Sequence, residues 1–190
     1  MNPTEERKIA VYCGASAGTR AAFADAAHAL GASLAEAGSR LVYGGGSLGL
    51  MGAVANGALS RDGAVTGVIT RQLVGKELAH PKVHDMRIVE TMHERKMQMA
   101  SMADAFVALP GGYGTLDELF EILAWAQLRL HQKPVGLLDT EGFFSRLLEF
   151  LDHAGENGFL RIAHREFLIV EREPRALCER VHERLGAFVK

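Results

Sequence analysis

Short apolar runs alternate with stretches of helical period along the whole chain. Lys8–Cys13, Arg40–Tyr43, Ala64–Thr70, Asp104–Leu109, Pro134–Leu138 and Phe167–Val170 read as strands, and Arg87–Val89 as a shorter one. Between them Ala21–Ala37, Leu50–Ser60, Met92–Met102, Leu116–Leu130, Phe143–Ala154 and Arg175–Phe188 read as helices. The strands are almost continuously apolar, the pattern of strands covered on both faces. Strand and helix alternating at this spacing predict right-handed βαβ units in one parallel sheet. The expected fold class is α/β, a Rossmann-like three-layer fold with a central parallel sheet and helices on both faces. No linker, repeat or low-complexity segment interrupts the pattern. Residues 1–190 are therefore expected to form a single domain, with 1–7 as a disordered tail.

Composition narrows the function classes. A formal net charge of −2 provides no broad pull toward nucleic acid or an anionic membrane. Any phosphate site must then be a local device. Cys13 and Cys178 are the two cysteines, too far apart in sequence to suggest a disulfide framework or a metal spacing. Met1–Lys8 is polar with no apolar signal region behind it, and no apolar run approaches the roughly 20 residues that span a bilayer. A cytoplasmic setting is expected.

In sheets of this kind ligands collect at the carboxyl ends of the strands. Three glycine-bearing loops are predicted to converge there, at Gly14–Gly18, Gly44–Gly52 and Gly111–Gly114. Gly44-Gly45-Gly46-Ser47-Leu48-Gly49 formally matches the dinucleotide pattern, but the acidic residue expected about 20 positions on is missing. That strand ends Val68-Ile69-Thr70-Arg71, so an NAD site is not expected. Glycines there equally serve a tight turn and close helix packing.

Pro110-Gly111-Gly112-Tyr113-Gly114-Thr115 follows an apolar strand and precedes an amphipathic helix. Glycines let such a loop turn its N–H groups toward an anion, and the helix N-terminus adds partial positive charge. Its size suits a single phosphate, and without Gly-Lys-Ser/Thr it is no triphosphate loop. Thr115-x-x-Glu118 also reads as a capping box, with Thr115 capping the helix and Glu118 reaching back. Upstream, Arg95 and Lys96 stand about 100° apart around a helix. Arg95 falls on the Met92/Met99 stripe, where a buried cation needs an anionic partner. A structural salt bridge is one reading of it.

Met92-x-x-Arg95-Lys96 followed by Pro110-Gly111-Gly112-x-Gly114-Thr115-x-x-Glu118 resembles the signature pair of the LOG ("Lonely Guy") family, the cytokinin riboside 5′-monophosphate phosphoribohydrolases. The resemblance extends to Tyr12-Cys13-Gly14-Ala15-Ser16, to Gly44-Gly45-Gly46-x-x-Gly49-Leu50-Met51-Gly52, and from Gln127 through Val135-Gly136-Leu137-Leu138. It implies hydrolysis of the N-glycosidic bond of a cytokinin riboside 5′-monophosphate, with AMP as a further substrate. Free base and ribose 5-phosphate would be the products. It also implies Arg95 and Glu118 as the catalytic pair, with Lys96, Gly111, Gly112, Tyr113, Gly114, Thr115, Leu116 and Asp117 lining the nucleotide site. Glu77, in the loop-like segment Val74–His84, matches an acidic substrate contact. Ala124 departs from a threonine of the plant members that contributes to the substrate site, which bears on the favoured base. Short members of the family are typically dimers, and a homodimer would bury the apolar face of the 116–130 helix and complete the site near its interface.

No cofactor or metal is implied, and no nucleic-acid or membrane partner. His80 and His84 have an i, i+4 spacing, but Pro81 argues against a helix there, and His93-Glu94 is not His-Glu-x-x-His because residue 97 is methionine. Trp125 and its apolar neighbours read as core or subunit contact, and Cys13 as a small buried hydrophobe. Proteins with this signature have been labelled lysine decarboxylases. Lys96 lacks the surroundings of a Schiff-base lysine with an acidic partner for a pyridine nitrogen. The alternatives are a non-catalytic carrier on the same fold, as in the related molybdenum-cofactor carriers, and a general nucleoside-monophosphate nucleosidase.

Overall fold

The computed structural model describes residues 6–77 and 79–187, with residues 75–77 described by their backbone alone. Seven strands form its centre: β1 (Lys8–Tyr12), β2 (Arg40–Tyr43), β3 (Val65–Thr70), β4 (Asp85–Val89), β5 (Ala105–Ala108), β6 (Val135–Leu138) and β7 (Leu168–Glu171). All neighbours are parallel, in the order β4-β3-β2-β1-β5-β6-β7. The helices are α1 (Ala21–Glu36), α2 (Gly49–Leu59), α3 (Arg71–Glu77), α4 (Met92–Met102), α5 (Tyr113–Gln127), α6 (Ser145–Glu156), α7 (Ile162–Arg165) and α8 (Pro174–Ala187). No helix among the described residues is long and apolar enough to cross a membrane.

The three layers follow from the two-residue alternation of the strands. Ile9 and Val11 of β1 pack with α1, α2 and α8 through Leu30, Leu34, Val54 and Leu177. Ala10 and Tyr12 turn to the other face and pack with Met99 of α4, Leu119 and Ile122 of α5, and Phe144. Both faces of β1 are thus dry, which is why its sequence is apolar without a break.

The small residues of α1 also have a cause. A Cβ at Gly31 would lie 2.0 Å from the Val54 carbonyl oxygen, and one at Gly57 would lie 1.9 Å from that of His28. The two helices touch backbone to backbone, and this brings the start of α2 up against the end of β1.

Three expectations change. α5 begins at Tyr113 and ends at Gln127, earlier at both ends than the apolar run 116–130. Its first turn is recruited from the glycine loop, and Arg129 with φ 60° leaves the helical path. α3 occupies 71–77 and so runs into the segment Val74–His84 that reads as loop; of its residues only Leu73 and Val74 are apolar, too few to show a period. β4 starts at Asp85 because its polar first residue is held by the Thr66 hydroxyl, 2.6 Å away. Of the tail expected at 1–7, residues 1–5 lie outside the described residues. Glu6 pairs with Arg40 at 2.7 Å, and the Arg7 carbonyl accepts the Arg40 N–H.

Candidate active site

β1 and β5 lie side by side, yet the helices that follow them leave on opposite faces of the sheet. The loops after the two strands part there and open a crevice at the switch point. The Gly14 N–H donates to the Pro110 carbonyl at 3.0 Å, and the Leu50 N–H donates to the Gly14 carbonyl at 3.1 Å. The three glycine loops therefore do converge, as the topology predicts. Gly45, with φ +80°, and Gly49, with φ +59°, hold left-handed turns that the second loop needs to get there.

A cavity of about 290 Å³ opens between them. Its wall carries Arg95 of α4 together with Gly112, Gly114, Thr115, Asp117 and Glu118 of α5 and its entry. Its floor is made by Val11, Cys13 and Gly14 at the end of β1, with Met51 and Met99 from the two flanking layers. Cys13 is buried, as expected, but also faces this cavity, and neither it nor Val11 nor Met51 is among the site residues that the sequence suggests. Position at a strand's carboxyl end was the signal that could have found the first two. Gly111 lines a neighbouring cleft of about 210 Å³ that shares Gly14 and Gly112 with the first.

The N-terminus of α5 is the anion-attracting feature. Gly112 is its N-cap, with no side-chain cap, and the Leu116 N–H closes the first turn on the Gly112 carbonyl at 3.0 Å. The N–H groups of Tyr113, Gly114 and Thr115 precede that bond and have no intrahelical acceptor. Thr115 is buried within the first turn, so the capping box expected at Thr115 and Glu118 is not formed. Glu118 is instead a half-buried side chain of the second turn, facing the cavity. The capping box of this region belongs to α4, between Thr91 and Glu94.

Arg95 is 6% exposed. Its Nε donates to the Val68 carbonyl at 2.9 Å and its Nη2 to the Gly44 carbonyl at 2.8 Å. Carbonyl dipoles from within β3 and just beyond β2 thus hold the guanidinium, in addition to whatever faces it across the cavity. These two hydrogen bonds set the orientation of the guanidinium, so its charge keeps its place in the wall as long as both carbonyls hold it.

The remaining candidates are spread around this centre. Lys96 does not line the cavity. Its Nζ stands 3.0 Å from Asp117 Oδ2 and 3.2 Å from Glu121 Oε1, tying α4 to α5. Burial alone would lower its pKa, but the hydrogen bonds to Asp117 and Glu121 outweigh that and raise it. Tyr113 is 95% exposed at the mouth of the loop, and Leu116 is half-buried against the core. Glu77 ends α3 and its side chain lies outside the described residues. Beneath Glu118, burial and then the charges of Glu118 and Glu121 raise the pKa of Tyr12, so its phenol stays protonated.

His80 is buried, with Nε2 3.3 Å from Asn56 Oδ1, and burial lowers its pKa. It is a neutral core histidine. Among the described residues no group of three or more His, Cys, Asp or Glu side chains is placed to hold a metal ion.

A family model described as "Possible lysine decarboxylase" matches residues 51–181. The cytokinin riboside 5′-monophosphate phosphoribohydrolase LOG of Oryza sativa subsp. japonica is 48% identical over 177 residues, 93% of this chain and 73% of that protein. A cytokinin riboside 5′-monophosphate phosphoribohydrolase of Arabidopsis thaliana is 44% identical over 183 residues, 96% of this chain and 85% of that protein. Among solved structures, the molybdenum cofactor carrier protein of Chlamydomonas reinhardtii superposes with a TM-score of 0.73 at 23% identity, covering 96% of this chain and 99% of the other. That last likeness is one of fold.

Proposed function

The chain belongs to the LOG family of cytokinin riboside 5′-monophosphate phosphoribohydrolases, and on that premise we propose that it hydrolyses the N-glycosidic bond of such nucleotides. The products are the free base and ribose 5-phosphate. One observation carries the reading to this chain's own residues. A cation held by backbone carbonyls, Arg95, and a half-buried carboxylate, Glu118, line the same cavity as the N-terminus of α5.

In the mechanism, the N–H groups at the start of α5 receive the 5′-phosphate, helped by the helix dipole. Holding the phosphate positions the ribose, which removes much of the entropic barrier to reaction. The bond between C1′ and the base nitrogen then lengthens and positive charge develops on the ribose, as in other glycoside hydrolyses. Glu118 follows the cradle residues Tyr113, Gly114 and Thr115 by three to five positions, roughly 4.5–7.5 Å along α5 at 1.5 Å per residue. A sugar whose phosphate sits in the cradle therefore lies beside this carboxylate, which we assign to the anomeric carbon. There it stabilises the developing charge and takes a proton from the attacking water. The water oxygen ends on C1′ as a hydroxyl, the glycosidic bond breaks with its electron pair on the base nitrogen, and the proton taken from water passes from Glu118 to the departing base, which regenerates the carboxylate. Arg95 supplies a fixed positive charge to the anionic substrate. Lys96 acts at one remove, by holding Asp117.

The site is completed in a homodimer. Phe120, Leu128 and Leu130 are exposed on and just after α5, beside an apolar groove lined by Leu123, Ala124, Leu151 and Leu160. A second copy is the occupant that this reading assigns to the face, and the cytoplasm is the compartment it assigns to the protein.

The experiment is to incubate the protein with isopentenyladenosine monophosphate, AMP and GMP and to assay free base. The prenylated nucleotide is expected to be the best substrate. Glu118→Gln and Arg95→Ala are each expected to lose at least about 100-fold in kcat/KM, the scale of removing one positioned polar group from a reacting centre. No base from any nucleotide would leave only a binding protein on this fold, and equal rates on all three would make it a general nucleosidase. Gel filtration of the same preparation as a single-chain species would remove the dimer.

A further inference from the structure

The glycine motif after β2 remains without a chemical role in the mechanism above. Its first member, Gly44, does not owe its identity to backbone conformation, since its φ lies outside the left-handed region where Gly45 and Gly49 sit. An alanine backbone would be accepted there. Space is what forbids it: a Cβ at Gly44 would lie 2.2 Å from Arg95 Nη2 and 2.8 Å from Met51 Sδ. The same residue supplies the carbonyl that receives the Nη2 hydrogen bond at 2.8 Å.

We infer that Gly44 is a positioning residue for Arg95. It is the flat floor on which the guanidinium lies, and any side chain there pushes the arginine off its anchors. The inference rests on the reading of Arg95 as part of the reactive site.

The physical argument turns on which group yields. A Cβ that meets backbone forces the fold itself to move, as at Gly31 and Gly57. At Gly44 the blocking atoms are the ends of two flexible side chains, so the chain can accept alanine by displacing them. The methionine end has other rotamers and loses little. The arginine loses the hydrogen bond to the Gly44 carbonyl, and with it the geometry that points its charge into the cavity. A small loss of stability then accompanies a large loss of turnover. This also explains a glycine-rich loop that formally matches a dinucleotide pattern with no dinucleotide: its first glycine makes room for a side chain of the protein itself.

The test is a double-mutant cycle on base release with isopentenyladenosine monophosphate, using Gly44→Ala, Arg95→Ala and the two combined. Gly45→Ala serves as comparator, because its φ of +80° makes it a backbone position. Gly44→Ala is expected to lower kcat/KM at least about 100-fold with a thermal midpoint near that of the unmodified protein. The double variant should be no worse than Arg95→Ala alone, since the two changes remove one and the same interaction. Gly45→Ala should instead lower the midpoint, and its effect on turnover should multiply with that of Arg95→Ala. Half or more of the original activity in Gly44→Ala, or losses that multiply in the double variant, overturn the inference.

If Gly44→Ala proves unstable, the thermal midpoints decide. Adding Gly44→Ala to Arg95→Ala must then cost far less than it costs the unmodified protein, and equal costs would mean that the clash is with the fold and not with the arginine. This arm needs no turnover. It therefore still decides the inference should the unmodified protein release no base and the proposed function fall.

Discussion

The Thr91 hydroxyl accepts the backbone N–H of Glu94 at 3.1 Å, while the Glu94 carboxylate accepts the N–H groups of Thr91 at 3.3 Å and Glu90 at 2.8 Å. This reciprocal cap fixes the first turn of α4, which the Arg95 N–H closes on the Thr91 carbonyl at 3.1 Å. Three N–H groups are satisfied at the point where the chain turns from the edge strand β4 into the helix that carries Arg95.

Thr91→Ala should therefore act on stability and on turnover together. Loss of such a cap costs about 1 kcal/mol, read as a lower urea midpoint with an unchanged slope. Because the frayed turn includes Arg95, kcat should fall several-fold as well, and Thr91→Ser should restore both. The expected loss of stability with unchanged kcat would show that the arginine is held in place without the cap.

The sheet and both helical layers were legible because they rest on periodicity. The dry strands are apolar throughout, and the helices with one buried face repeat it every three to four residues. The convergence of the glycine loops also followed, since parallel topology places every βα loop on one edge. What periodicity could not show is local chemistry supplied by distant residues. Nothing near Arg95 in sequence announces the carbonyls of Gly44 and Val68, which are 51 and 27 positions away. Thr115-x-x-Glu118 has the spacing of a capping box, but Gly112 starts the helix three residues earlier and takes the cap position. Spacing tells which residues can pair, and the helix start decides whether they do.

Lys96 tests how far the site extends beyond its lining. Its ammonium neutralises Asp117, which faces the cavity, and Glu121, which does not. Lys96→Met leaves the Asp117 carboxylate without that partner, close to the N-terminus of α5 proposed to receive the phosphate. An uncompensated like charge at that range is worth about 1 kcal/mol or more, so KM should rise roughly three- to tenfold with kcat held within about twofold. Adding Asp117→Asn should bring KM back. A variant whose kcat falls while KM stays constant would place the ammonium at the reacting centre instead.

Acid should loosen the far edge of the same sheet first. Asp85 begins β4 and accepts the Thr66 hydroxyl at 2.6 Å, with Arg87 Nε at 3.4 Å and Arg40 Nη1 at 3.8 Å. The Thr66 hydrogen bond, and after it the two arginines, hold its carboxyl below the usual aspartate range against an opposing effect of burial. The unfolded chain then binds the proton at a higher pH than the folded one. The contribution of Asp85 is fully present above the ordinary aspartate value of about 3.9 and is lost as pH falls through the lower folded value. Asp85→Asn should consequently lower the urea midpoint at pH 7, and the gap to the unmodified protein should close as pH drops below about 4. Its side chain is 41% exposed, so the gap should also narrow in high salt. A gap constant from pH 7 to pH 3 would show that Asp85 acts through shape and hydrogen bonding alone, and its charge would have no part in joining β4 to β3, the strand whose Val68 carbonyl anchors Arg95.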